Sequence, residues 1–386
     1  MGDDDGATAR DEGASAMGTE THTAGQAPDG QVPDESIPRG LKPFWNKPVS
    51  ELVRLDEPPI AEPAQERHRI YSFLLAAVIL NYWNGNKYGE AGDYGDWRAN
   101  QLLAAQPRLY KGGSYLGHNI AALAVDAEGR IIDYDFNHND LFDSSVEHAE
   151  SRLVRRVFAL NQIYEPWQVD GDSPKRGRGG VPQRQEHKVF ATSLTDRAER
   201  VTPRSAEKVA SGYSTLLSDV TVYTSLESCA QCTGIMCLAS VKEVVYLQPD
   251  DSQFLIGNIM RRTTRAQGPG FIAPRPIAGD EIGFAYFRDL AEGNRDFGRR
   301  VEHEPFYQNG VKAVKTPSVT SYLCTDNAYQ NFAAASAEVN GMSLQHPDYR
   351  PDLVPSALTN QQALAMATDF LTYVKSVRNR GTSHRV

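Results

Sequence analysis

Apolar positions along this chain recur at two spacings, every three to four residues and every second residue, and the switches between them mark out the elements. From about Pro63 to Trp83 the pattern predicts a helix, with Pro63 in its first turn and Gly85 just past its end. Its second half is apolar all round, as expected of a helix buried in a core. A Gly/Tyr/Asp-rich loop over 84–96 and a short helix over about 97–105 follow. Asn119–Asp126 and Arg130–Phe136 read as two strands around Ala127-Glu128-Gly129. A helix comes next, with Val146, Ala149, Leu153, Val157 and Leu160 at helical spacing and Ser144-Ser145-Val146-Glu147 as a capping box. Residues 165–213, rich in Gly, Pro and charge, read as an insertion. Asp219–Thr224 is a third strand, and a helix starts after it, with Ser228-Cys229-Ala230-Gln231 as a second capping box. Val241–Leu247 is a fourth strand, 252–263 a helix and Glu281–Phe287 a fifth strand. After a polar connection, helices fall near 319–339 and 359–378. In the last one Ala363, Met366, Phe370, Val374 and Val377 share a face, and Thr359 and Gln362 fit a cap. This order predicts an α/β fold, a mixed sheet of about five strands with helices packed on its faces and additional C-terminal helices.

Charge changes the picture at one end. Residues 1–36 hold nine acids against Arg10, a net of −8 out of the chain's −9, so the remainder is close to neutral. With almost no large apolar side chains, that stretch cannot offset its ordering entropy, and it reads as a disordered acidic tail. Residues 37–65, with five prolines between 38 and 59, read as an extended lead-in. A main globular domain is expected over 66–290 and a C-terminal helical extension over 291–386. A near-neutral body argues against tight, non-specific nucleic-acid binding. Four cysteines in 386 residues do not make a disulfide scaffold, and three lie between 229 and 237, a pattern of metal ligation in a reducing compartment. The chain opens on no signal-like pattern, and its longest apolar run, Ile70–Trp83, is too short to span a bilayer. A soluble, cytoplasmic protein with no membrane partner is expected.

The chemistry concentrates in two motifs. His148-Ala149-Glu150 supplies an imidazole and a carboxylate, and Cys229-Ala230-Gln231-Cys232 supplies two thiolates. One imidazole and two thiolates are three ligands of a tetrahedral zinc, leaving a position for water; a catalytic site has this layout, whereas a structural site is closed by a fourth ligand. Glu150, two residues from His148, can stand beside such an ion without binding it, where a general base for water is needed. Cys237 points about 140–160° away from Cys232 on a helix and reads as a core residue. Cys324 reads as structural. His118 and His138 flank the predicted hairpin, and lone histidines there are more often surface or core residues than ligands.

H-x-E followed by C-x-x-C, each at a predicted helix start after a strand, resembles the zinc-dependent cytidine deaminase-like superfamily, whose signature is H-x-E…P-C-x-x-C. Ser228 stands in the place of its proline, and the 81-residue step from His148 to Cys229 becomes ordinary once 165–213 is set aside. The resemblance covers about 66–290. It implies a three-layer α/β/α fold, Zn2+ held by His148, Cys229 and Cys232, and Glu150 as the catalytic proton carrier. It also implies substrate contacts from Asn137, at the end of the second strand, and from the Ala149 backbone N–H. By the same resemblance Glu227 is a loop-supporting acid, and a homo-oligomer is one expected state of assembly. The implied activity is hydrolytic deamination of a nucleobase, nucleoside or nucleotide. Two other readings compete: a nucleic-acid deaminase using the basic stretch Lys175–Lys188, and a non-catalytic zinc-stabilised interaction protein. Glu150 speaks against the last, since a structural site has no use for an unliganded carboxylate.

Overall fold

The computed structural model describes residue 43 and residues 47–83, 117–139, 144–158, 217–266, 271–303, 306–308, 312–314, 318–351 and 355–376. The tail over 1–36, the helix expected at 97–105 and the insertion 165–213 lie outside the described residues, as do Leu160 and Val377. The chain divides into a unit ending at Leu52, whose described residues include the short helix α1 (Val49–Leu52), and a unit from Val53 onward.

The second unit is α/β. Its sheet is built from β1 (Ala121–Val125), β2 (Ile131–Phe136), β3 (Thr221–Thr224), β4 (Glu243–Tyr246) and β5 (Arg275–Ala278), in the order β2-β1-β3-β4-β5. β1 runs antiparallel to β2 and β3, whereas β3, β4 and β5 run parallel to one another. Every residue of β1 to β4 is buried, as in a sheet covered on both faces. Adjacent residues of β3 show the two coverings. The Tyr223 ring lies 5.3 Å from Tyr71 of helix α2 (Glu62–Asn81), while the Thr224 hydroxyl reaches Glu150 of helix α3, described over 149–158. The sheet therefore separates α2 from the side that carries the two motifs. Helix α4 (Ala230–Leu238) follows β3, and α5 (Ile256–Ala266) follows β4.

The fifth strand is not where the alternation placed it. Ile282 and Phe284 are buried and Glu281 and Gly283 exposed, so the two-residue pattern is real, but a 3-10 turn over Gly279–Ile282 makes it, closed by Gly283 at φ +68°. The strand is Arg275–Ala278, at the edge of the sheet, where Pro276 is tolerated. The expected polar connection includes helix α6 (Tyr286–His303), which buries Leu290, Phe297 and Val301. Beyond it come the hairpin strands β6 (Phe306–Gln308) and β7 (Lys312–Val314). The helix expected over 319–339 is two: α7 (Val319–Tyr322) and α8 (Asp326–Gly341), with Thr325 capping the second by accepting from Ala328 N–H at 3.3 Å. The helix expected at 252–263 starts at Ile256, because Phe254 and Leu255 take left-handed φ of 49° and 56°.

Helix α9 (Asn360–Ser376) and α8 pack on α2, so α2 lies in the same core as the sheet. Polar side chains at the start of α2 fix this docking. Glu66 accepts from the N–H groups of Gln345 and His346 at 2.5 and 2.9 Å, and Arg67 donates to Leu358 O at 2.7 Å and Glu128 O at 3.2 Å. Among the described residues, no helix is long and apolar enough to cross a membrane.

Candidate active site: one imidazole, two sulfurs and a buried carboxylate

Two helix starts and one strand end build the site. α3 does not begin with the expected capping box. Ser144 Oγ accepts from Val146 N–H at 3.4 Å within the preceding turn, and the Glu147 carboxylate turns to Arg152 and Arg155 at 2.6 and 2.8 Å. The first helical N–H, that of Ala149, is instead taken by Asn137 Oδ1 at 2.7 Å, from the end of β2. Gly117 is required here: a Cβ on it would stand 2.7 Å from Asn137 O.

α4 has no side-chain cap either. Its N-cap is Cys229, in extended conformation. Ser228, expected to cap this helix, donates its hydroxyl to Glu150 Oε1 at 3.0 Å, and Thr224 donates to the same oxygen at 3.1 Å. Gln231 Nε2 donates to Val146 O at 3.0 Å and so ties the two helix starts together.

His148 Nδ1 lies 3.4 Å from Cys229 Sγ and 3.5 Å from Cys232 Sγ, and all three donor atoms fall within 4.8 Å of one another. These separations fit a shared ion. Tetrahedral zinc bonds of about 2.0–2.1 Å to nitrogen and 2.3 Å to sulfur place nitrogen and sulfur about 3.5 Å apart. Among the described residues no fourth His, Cys, Asp or Glu joins this group, so the donor set can hold a metal ion and leave coordination positions open. Cys232 is wholly buried, while His148 and Cys229 are half-buried.

Charge at the site follows from these contacts. The Cys229 sulfur, hydrogen-bonded by Cys232 and by His148, is held well below the usual thiol range at about 4, and Cys232, on the other side of that bond, is pushed up. The Cys229 hydrogen bond holds His148 above its ordinary value. The two sulfurs thus differ sharply in proton affinity, and His148 holds a proton more tightly than an ordinary imidazole. Glu150 is 4% exposed, and its Oε2 lies 3.5 Å from Cys232 Sγ. Burial raises its affinity for a proton, partly offset by its hydrogen bonds and by His148.

The other expected positions fall as follows. Asn137 and Ala149 are bonded to each other, the asparagine through its Oδ1. Glu227 Oε2 accepts from Asp250 N–H at 3.0 Å, joining the loop before α4 to the loop after β4, and burial pushes its pKa up to about 7. Cys237 is buried within α4, Cys324 accepts a weak bond from Asn119 at 3.8 Å, and neither joins the metal group. His138 Nδ1 donates to Phe136 O at 2.7 Å, and neither it nor His118 joins that group. Sequence reasoning missed Thr224, the bond from Ser228 to Glu150, and a set of ion pairs that fastens α3 to β2. Arg156 donates to Asp133 at 2.7 Å and Asp135 at 2.6 Å, and Arg152 lies 3.3 Å from Asp135. The signal was present as acids at i and i+2 on a strand and arginines at i and i+4 on a helix.

No protein-family model matches the chain, and no curated protein matches it. Among solved structures, one from biochemical and structural studies of A-to-I editing by tRNA:A34 deaminases at the wobble position of transfer RNA is similar to it. That likeness has 15% sequence identity and a TM-score of 0.22, over 43% of this chain and 83% of the other. At that score it carries no argument about chemistry.

Proposed function

We propose that the protein is a zinc-dependent hydrolytic deaminase that replaces the exocyclic amine of a nucleobase, nucleoside or nucleotide by oxygen and releases ammonia. One observation carries this reading: a His/Cys/Cys donor set, its imidazole nitrogen 3.4 and 3.5 Å from the two sulfurs, has a buried carboxylate beside it, Glu150 Oε2 at 3.5 Å from Cys232 Sγ. His148, Cys229 and Cys232 would hold the zinc, which would supply the Lewis acidity that lowers the pKa of a water toward neutrality. Glu150 takes a proton from the attacking water, passes it to the ring nitrogen, and then helps the amine leave as ammonia. Burial suits Glu150 to this, since a carboxylate with a raised proton affinity holds a proton between the two transfers. Asn137 Nδ2 is the proposed donor to the polar edge of the substrate. The Ala149 N–H, occupied by Asn137 Oδ1, is available to the substrate only where Asn137 gives it up.

The test is Glu150→Gln, assayed for zinc content, melting temperature and ammonia release from adenine, adenosine, cytosine, cytidine, their nucleotides and short RNA and DNA oligomers. Zinc and fold are expected to persist while turnover falls at least about a hundredfold. A fully active Glu150→Gln protein, or a folded wild-type chain that takes up no zinc, would sink this reading.

A further inference from the structure

We infer that Ser228 and Thr224 are positioning residues for Glu150: their hydroxyls hold one carboxylate oxygen so that the other faces the His148, Cys229 and Cys232 group. The catalytic meaning of this pair rests on the deaminase reading; the hydrogen bonds themselves do not.

Three separate elements converge on Glu150 Oε1. The carboxylate comes from α3, the Thr224 hydroxyl from the last residue of β3 at 3.1 Å, and the Ser228 hydroxyl from the loop before α4 at 3.0 Å. Thr224 is fully buried and Ser228 is 5% exposed, so neither bond competes with bulk water. A carboxylate oxygen has two lone pairs, and two hydroxyl donors occupy both on Oε1. Oε2 is left with the Cys232 sulfur at 3.5 Å and the space beside the three metal donors.

A glutamate side chain has three rotatable bonds, and a proton carrier delivers only when its plane is fixed ahead of the reaction. Thr224 is suited to this because its branched Cβ restricts its own rotamer. Ser228 is the more telling member. It stands where the P-C-x-x-C signature has proline, a residue with no hydroxyl, and it does not cap α4. The Ser228 hydroxyl is thus committed to Glu150, 78 residues earlier in the chain.

The experiment uses the full chain with Ser228→Ala, Thr224→Val, the double variant, and Ser228→Thr as the conservative replacement. The first readout needs no turnover: the carboxyl resonance of Glu150 in protein labelled with 13C-carboxyl glutamate, metal-free and zinc-loaded, assigned by its loss in Glu150→Gln. It is expected to move in each single alteration that removes a hydroxyl, to move furthest in the double variant, and to stay in place in Ser228→Thr. The second readout is steady-state ammonia release from whichever base, nucleoside or oligomer the unaltered chain turns over. Each single loss is expected to cut kcat about tenfold, and the double loss about a hundredfold. KM should stay within about twofold, because the lost interaction aligns a proton carrier rather than binding substrate. Ser228→Thr should keep most of the activity. An unmoved resonance in the double variant overturns the assignment, and so does a moved resonance with unchanged kcat, which reduces the bonds to satisfying buried hydroxyls. If the unaltered chain releases ammonia from none of the probes, the deaminase reading falls and the catalytic meaning of the pair falls with it, although the resonance still decides whether the hydroxyls hold Glu150. Should the double variant fail to fold, Ser228→Ala alone, which removes a single oxygen, decides the matter.

Discussion

The Asn137 carboxamide has two ends with two different tasks. Its oxygen accepts the first N–H of α3 at 2.7 Å, and its nitrogen is the end proposed to meet substrate. Asn137→Ala leaves a buried N–H unpaired, so unfolding free energy by urea titration should fall by about 1–3 kcal/mol. Asn137→Asp keeps an acceptor at a helix N-terminus, where negative charge is favourable, and should hold stability while losing the donor. If activity survives in Asn137→Asp, the substrate role of the nitrogen is wrong. On the far side of the sheet, His68 Nδ1 meets the Tyr223 hydroxyl at 2.9 Å, and burial lowers its pKa to about 4 from 6.5. Between those values the unfolded chain binds the proton and the folded protein does not. This contribution to stability is therefore full above pH 6.5 and lost as pH falls toward 4. It is on the order of 3 kcal/mol. Melting temperatures over that window should fall less steeply in His68→Gln, and an unchanged slope would remove His68 as the cause. At this scale the sequence marked out four residues that the structure brings together: His148, Glu150, Cys229 and Cys232. It hid the partners of Glu150, because Thr224 and Ser228 meet it from 74 and 78 residues away.

Between elements, the bond that matters most to the site is the one from α3 to β2, since α3 carries Glu150 and follows directly on His148. Arg156 reaches Asp133 and Asp135 at 2.7 and 2.6 Å and also donates to Tyr134 O. Both aspartates are at most 2% exposed, and burial raises the pKa of Asp135 against the pull of Arg156 and Arg152. Removing one member of such a group leaves buried charge unpaired. Arg156→Met should cost about 3–5 kcal/mol in urea unfolding, whereas adding Asp133→Asn and Asp135→Asn should recover part of that loss. A cost below about 1 kcal/mol would place the group with solvent-screened surface pairs instead. Elements were legible where the apolar period was long, as in α2 and α9. They were misread where a short stretch imitated another period. Glu281–Phe287 alternates as a strand does, yet Gly283 at φ +68° lets a turn bury Ile282 and Phe284. The strand itself, Arg275–Ala278, has four residues and a proline, too little for an alternation to show.

Across the whole second unit, α2 is the shared wall: the sheet lies on one side of it, and α8 and α9 pack on it as well. Sequence distance concealed this, because Asn360 meets Glu66 from 294 residues away and Arg67 meets Leu358 from 291. Two perturbations of the molecule should therefore differ in kind. If zinc is bound as proposed, a chelator would remove an ion held at two helix starts, and Gln231, Asn137 and the Arg156 ion pairs would still hold those starts. Far-UV circular dichroism should be retained, with a lower melting temperature. Ending the chain at Leu358 removes Phe370, Leu371 and Val374, all buried, at about 1.5–3 kcal/mol each. It also leaves the polar groups of Glu66 without Asn360 Nδ2, which donates at 3.1 Å. The sum, on the order of 6 kcal/mol or more, is comparable to the entire stability of an ordinary domain. The shortened chain should lose its cooperative melt and bind no zinc even in excess metal, since α2 would have lost its cover and the sheet its footing. A shortened chain that still melts cooperatively and takes up zinc would show that the sheet and its two motif helices fold without the C-terminal layer.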